Sequence, residues 1–173
     1  MMKLNLLSFV FVVLSASFSV AAAPDCLGKS QVLPVMNEQI LTWKRQTKNG
    51  YKSRGHLEGT LTKIYPNKTG HIHIQVQIGQ NSYDTIEVIY NEMFGKVPSM
   101  QIGAQVEACG DYITAKAING KYRASPDGAI LHWVHESTRP GSHASGYMMI
   151  DGVVYGDRDG DGFPQILEME QLN

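Results

Sequence analysis

From His71 to Ile78 the chain alternates without a break: His-Ile-His-Ile-Gln-Val-Gln-Ile. Successive strand side chains point to opposite sides, so Ile72, Ile74, Val76 and Ile78 are expected to face a core and His71, His73, Gln75 and Gln77 the other way. The same period of two runs through residues 56–65, which Pro66-Asn67-Lys68-Thr69-Gly70 closes as a turn. It runs again through 83–90, after a turn at 79–81. Residues 91–100 are irregular, with Gly95 and Pro98. Further strands are expected at 104–117, with a bulge or bend at Cys109-Gly110, at 129–134 and at 147–155.

Ahead of the strands the period changes. Leu33, Met36, Ile40 and Trp43 recur at spacings of three and four, which predicts a helix over 31–47 with Pro34 in its first turn and Asn49-Gly50 as its stop. Short strands with turns every eight to twelve residues predict a mainly β domain. The expected form is a small oligonucleotide/oligosaccharide-binding (OB) type barrel over 24–156, with the helix packed at one end.

Residues 1–23 carry a different pattern. Lys3 precedes an apolar run at 6–13, and the segment ends in small residues, Ser-Val-Ala-Ala-Ala-Pro. This is the pattern of a secretory signal peptide cleaved near Ala23 or Pro24. The apolar run is shorter than the ~20 residues a bilayer span needs. A soluble protein, secreted or periplasmic and without a transmembrane segment after cleavage, is the expected product.

Loss of Lys3 leaves 14 of the 15 Lys and Arg against 16 Asp and Glu. That balance argues against bulk electrostatic attraction to nucleic acid. Locally, Lys44, Arg45, Lys48, Lys52 and Arg54 surround Tyr51 with no acid among them. Such a run either meets phosphate or solvates a helix end, where cations favour the C-terminal dipole. In an oxidising compartment the two cysteines, Cys26 and Cys109, are expected to form one disulfide. It would close a loop of more than eighty residues and contribute roughly 4 kcal/mol.

Residues 157–168, Asp-Arg-Asp-Gly-Asp-Gly-Phe-Pro-Gln-Ile-Leu-Glu, match the twelve-position calcium loop of an EF-hand. Asp157, Asp159 and Asp161 stand at positions one, three and five, Gly162 at six and Glu168 at twelve, with the Phe163 carbonyl at seven. Calcium takes six to eight oxygens, and this set supplies them. A strand precedes the loop in place of the usual helix, and Pro164 suits a short exit helix over 164–172. The expectation for 157–173 is a calcium-fastened tail.

The densest polar chemistry lies in 129–151, which holds His132, Trp133, His135 and His143 ahead of Tyr147. Two readings compete. In the first, Trp133, Tyr147, His132, His135, His143 and Asn91 form a binding face for a polar ligand such as an oligosaccharide or nucleic acid. In the second, His71 and His73, at i and i+2 on one strand face, join His132 or His135 on zinc or another transition metal, as in a metal-dependent hydrolase or nuclease. Glu58 and Glu136 are candidate acid/base partners there. Ser142 and Ser145 lie in a loop and not in a nucleophile elbow.

Several short motifs recur together in order: Glu58-Gly59, Gly70-His71, Ile89-Tyr90-Asn91, Val97-Pro98, Gly110-Asp111-Tyr112, His132-Trp133-Val134-His135, Gly146-Tyr147 and Tyr155-Gly156. Over about residues 40–156 they resemble the small exported bacterial family catalogued as domain of unknown function 3465, His-Trp-Val-His being the most specific piece. The resemblance implies a barrel similar to ligand- or nucleic-acid-binding barrels, and no activity. It also marks departures. Tyr90 stands where that family usually has histidine, His73 near its arginine, and Glu136-Ser137 where a His and an Asp follow.

Overall fold

The computed structural model describes residues 23–29, 31–67, 69–139 and 141–156. Two short strands, β1 (Leu27–Gly28) and β2 (Gln31–Val32), form a small antiparallel ladder, followed by helix α1 (Asn37–Gln46). The main sheet comprises β3 (Lys52–Ile64), β4 (His71–Gln77), β5 (Thr85–Asn91), β6 (Gln105–Thr114), β7 (Ala129–His132), β8 (Tyr147–Ile150) and β9 (Val153–Tyr155). Its order is β3-β4-β5-β7-β6, and β3 pairs again with β6, so five strands close a barrel. Only β5 and β7 run parallel; the remaining pairs are antiparallel. This is an OB-like barrel.

The period of two in the sequence sets its inside and outside. In β4 the burial alternates residue by residue, with the isoleucines and Val76 inward and the histidines and glutamines outward. Leu57, Leu61, Ile74, Val76, Ile86, Val88, Tyr112 and Leu131 are fully enclosed. Helix α1 covers one end with Ile40 and Leu41, while Trp43 packs on Tyr112 and Tyr51 at ring separations of 5.4 and 5.9 Å.

Three sequence expectations shift. The helix starts at Asn37 and not at residue 31, because the preceding segment is held in extended form. Leu33 N–H donates to the Cys26 carbonyl and Met36 N–H to the His56 carbonyl, and Cys26 is bonded to Cys109 with an S–S distance of 2.07 Å. Only Lys44 and Arg45 of the basic run lie in the last turn of the helix: β3 begins at Lys52, paired opposite Ile113, so Lys52 and Arg54 are strand residues. The last apolar run is a hairpin. Asp151 (φ 48°) and Gly152 (φ 83°) form the tight turn between β8 and β9, a conformation that favours Asp-Gly. Among the described residues, no helix is long and apolar enough to cross a membrane.

Candidate functional site

A change of partner along β6 creates the site. Asp111–Thr114 pair with β7, whereas Val106–Cys109 pair with β8 along the same edge. At Gly110, between the two ladders, β7 leaves and β8 arrives, and the intervening chain is thrown outward from this notch. The backbones meet closely there. A Cβ on Gly146 would lie 2.2 Å from the Cys109 carbonyl oxygen and 2.5 Å from that of Trp133. Trp133 itself takes φ 54°, a left-handed conformation uncommon for a bulky residue. Strain of this kind tends to collect at functional sites.

Six rings from three parts of the chain form a continuous row. His71 on β4 stacks on His132 at 6.5 Å, and His132 lies 4.6 Å from Trp133. Trp133 stacks on His143 at 5.8 Å, His143 meets His135 edge-on at 5.0 Å, and His135 stacks on Phe94 at 3.8 Å. The Lys52 ammonium lies 5.4 Å from the Trp133 ring centroid, in range for a cation–π contact. Beside the row, Arg54 is paired with Asp111 at 3.0 Å and also donates to the carbonyls of Leu27 and Ser145. Asp111 is the cross-strand partner of both Arg54 and His132.

Most of these imidazoles have one nitrogen fixed. Nδ1 of His71 donates to the Thr69 carbonyl at 3.1 Å, that of His135 to Glu136 at 2.7 Å and that of His143 to Ala144 at 3.0 Å. A carbonyl can only accept, so the neutral form of each ring presents Nε2 as an acceptor. Burial pushes His132 down to about 4 from 6.5, and the neighbouring His71, His135, His143 and His73 add to that. His135 is lowered too, first by burial. At neutral pH His132 and His135 are therefore uncharged rings within the row, and the Lys52 ammonium lies beside them over Trp133.

The other expected site residues are placed differently. His73 shares the outer face of β4 but its Nδ1 bonds to Glu87 at 2.7 Å. Among the described residues, no three His, Cys, Asp or Glu side chains are grouped to hold a metal ion. Tyr147 is buried against the disulfide, donates to Glu107 and packs edge-on to His56. Asn91 accepts from the Met93 N–H and so starts the short 3₁₀ turn Glu92–Phe94 that carries Phe94 to His135. Glu58 faces a cleft of about 460 Å³, lined also by Asn37, Gln77, Gln105, Glu107 and Met149, which shares no residue with the ring row. Ser142 bonds to Ser137 and to the Arg139 carbonyl, and Ser145 accepts from Ser137 N–H, so both serve loop structure. Asp157, Asp159, Asp161, Phe163 and Glu168 of the calcium loop lie outside the described residues.

Sequence reasoning missed Phe94, hidden in a stretch without period, and the pairing of Arg54 with Asp111. It also passed over Asp127, which reads as an ordinary Pro-Asp-Gly turn. Buried, Asp127 accepts from Tyr65 at 2.7 Å and from Gln75 and Thr85 at 2.6 Å each. It thereby ties the loops after β3 and β6 to the β4–β5 face. Nothing in the sequence but the strand pairing brings those donors together.

No protein-family model matches the chain, and no curated protein matches it.

Proposed function

We propose that this chain is an exported, non-enzymatic binding module that holds a polar ligand on the imidazole–indole row around Trp133. One observation carries the reading. Trp133 sits in a left-handed conformation between His132 and His143, with Lys52 over its ring. An indole flanked by imidazoles offers flat stacking surface, and a ring whose Nδ1 is held by a carbonyl offers, in its neutral form, an Nε2 acceptor to ligand hydroxyl or amide donors. The signal-like start and the intramolecular disulfide support export. The sequence of 157–168 supports a calcium ion fastening the tail, and the His-Trp-Val-His stretch supports kinship with the domain of unknown function 3465 family. The test is binding of the mature protein to arrays of oligosaccharides and oligonucleotides. Capture abolished by Trp133→Ala and kept by Trp43→Phe is expected; capture indifferent to Trp133 would overturn the reading.

The metal-dependent hydrolase reading stands second, on a separate observation. His71, His135 and His143 donate Nδ1–H to carbonyls and His73 bonds Glu87, the outer-shell pattern that orients metal-binding imidazoles. It requires the rings to turn onto one ion. Zinc retained through dialysis and lost in His71→Ala would bring that reading ahead.

A further inference from the structure

We propose that the ligand of the Trp133 face is a single-stranded nucleic acid, led onto the rings by a basic rim at the helix end of the barrel. This rests on the binding-module reading above and adds the class of ligand. Residues 39–57 and 112–126 contain no Asp or Glu, despite the near-neutral balance of the whole chain. The fold staples these two segments together. Asn49 Nδ2 donates to the Ala117 carbonyl at 3.2 Å and its Oδ1 accepts from Ala117 N–H at 3.1 Å. Lys116 Nζ donates to the carbonyls of Arg45 and Thr47, the exposed end of α1. Gly50 N–H donates to the Thr114 carbonyl.

The two joined segments together carry six exposed cations, Arg45, Lys48, Lys52, Lys116, Lys121 and Arg123. Rings are interleaved with them: Tyr122 is 68 % exposed under the Lys121 ammonium at 5.5 Å, and Tyr51 is 38 % exposed. Lys52 belongs to both features, since it opens β3 beside Tyr51 and lies over Trp133. Cations spaced along a path with aromatic faces between them suit a flexible chain of phosphates whose unpaired bases can stack. A sulfated glycan would also meet the cations, but it has no planar bases to stack on successive rings. The loop after β6 is also one of the two that frame ligands on OB barrels.

The experiment is fluorescence anisotropy of labelled oligothymidylate with the full mature chain, across salt. If the six cations all meet phosphates, log K falls against log salt with a slope of about −4, a loss of a few hundred-fold between about 50 and 200 mM. The exposed double variant Lys121→Glu/Arg123→Glu is expected to weaken binding at least tenfold and flatten that slope by about 1.4. Trp133→Ala is expected to weaken binding at every salt concentration and leave the slope unchanged. Thermal melts of both variants confirm that they fold. A neutral oligosaccharide bound through Trp133, with no oligothymidylate binding, would overturn this inference and leave the binding-module reading standing. A sulfated oligosaccharide bound through Lys121 and Arg123 but indifferent to Trp133→Ala would overturn it as well, as would cosedimentation with phosphatidylglycerol vesicles that depends on the exposed Ile118 and is not matched by oligothymidylate. Absence of any ligand at low salt would overturn both.

Discussion

Lowering the pH should loosen this domain through one imidazole in particular. His132 sits in the middle of the ring row, and burial, then the four surrounding histidines, lower it from 6.5 to about 4. The unfolded chain takes up the proton first as pH falls, while the folded chain refuses it. The stability tied to neutral His132 is therefore complete above about 6.5, is lost progressively below that, and is gone by about 4. At about 1.36 kcal/mol per pH unit, that interval carries at most about 3 kcal/mol, and partial exposure of the ring trims it to about 2. Asp111, paired across the ladder with His132, is already neutralised by Arg54 and does not offset the effect. Urea unfolding of the wild type and His132→Asn, at pH 7.5 and pH 4.5, isolates it. The asparagine variant loses ring contacts at both pH values, so its offset is constant; the difference between the two proteins should shrink by about 2 kcal/mol at the lower pH. An unchanged difference, or an imidazole signal for His132 titrating near 6.5, would refute the reasoning.

Other perturbations follow from the same geometry. Replacing Cys26 and Cys109 by serine opens a sequence separation of 83 residues and should cost about 4.5 kcal/mol in the chain-entropy model, measured by denaturant melts with and without reductant; a cost under about 1 kcal/mol would show that the loop closure is dispensable. Gly146→Ala puts a methyl 2.2 Å from the Cys109 carbonyl oxygen and should lower stability by more than 2 kcal/mol and weaken ligand capture, both through the displaced Trp133 turn; wild-type melting would disprove the close approach. Asp127→Ala strands Tyr65, Gln75 and Thr85 and should cost about 3 kcal/mol, with amide exchange rising first in the two joined loops; uniform exchange would argue against that tie.

Much of the barrel was legible because its signals are local. The unbroken alternation of 71–78 is the β4 burial pattern itself, and the number of barrel strands follows from turns that announce themselves. The exceptions have non-local causes. Residues 31–36 carry a helical stripe, yet a backbone bond from Leu33 to the disulfide-bonded Cys26 and another from Met36 to His56 on β3 hold them extended. The break in 147–155 rests on Asp151 and Gly152, a tight-turn pair that an apolar run conceals. At the site, His132, Trp133, His135 and His143 could be picked from one short segment. Their assembly with His71 depends on β7 lying parallel to β5, and Phe94 arrives on a single turn capped by Asn91. Tyr147 shows the converse: adjacent in sequence to the loop, it faces the disulfide and spends its hydroxyl on Glu107.

The most direct measurement uses the protein's own indole. With two tryptophans in the chain, Trp43→Phe leaves Trp133 as sole emitter, and Trp43 lies in the α1 contact with Tyr51 and Tyr112, outside the ring row. Titrating that variant with oligothymidylate at low salt should give a saturable change in Trp133 emission at the same midpoint as the anisotropy. Binding seen by anisotropy with Trp133 emission unmoved would place the ligand elsewhere and contradict the role given to the ring row.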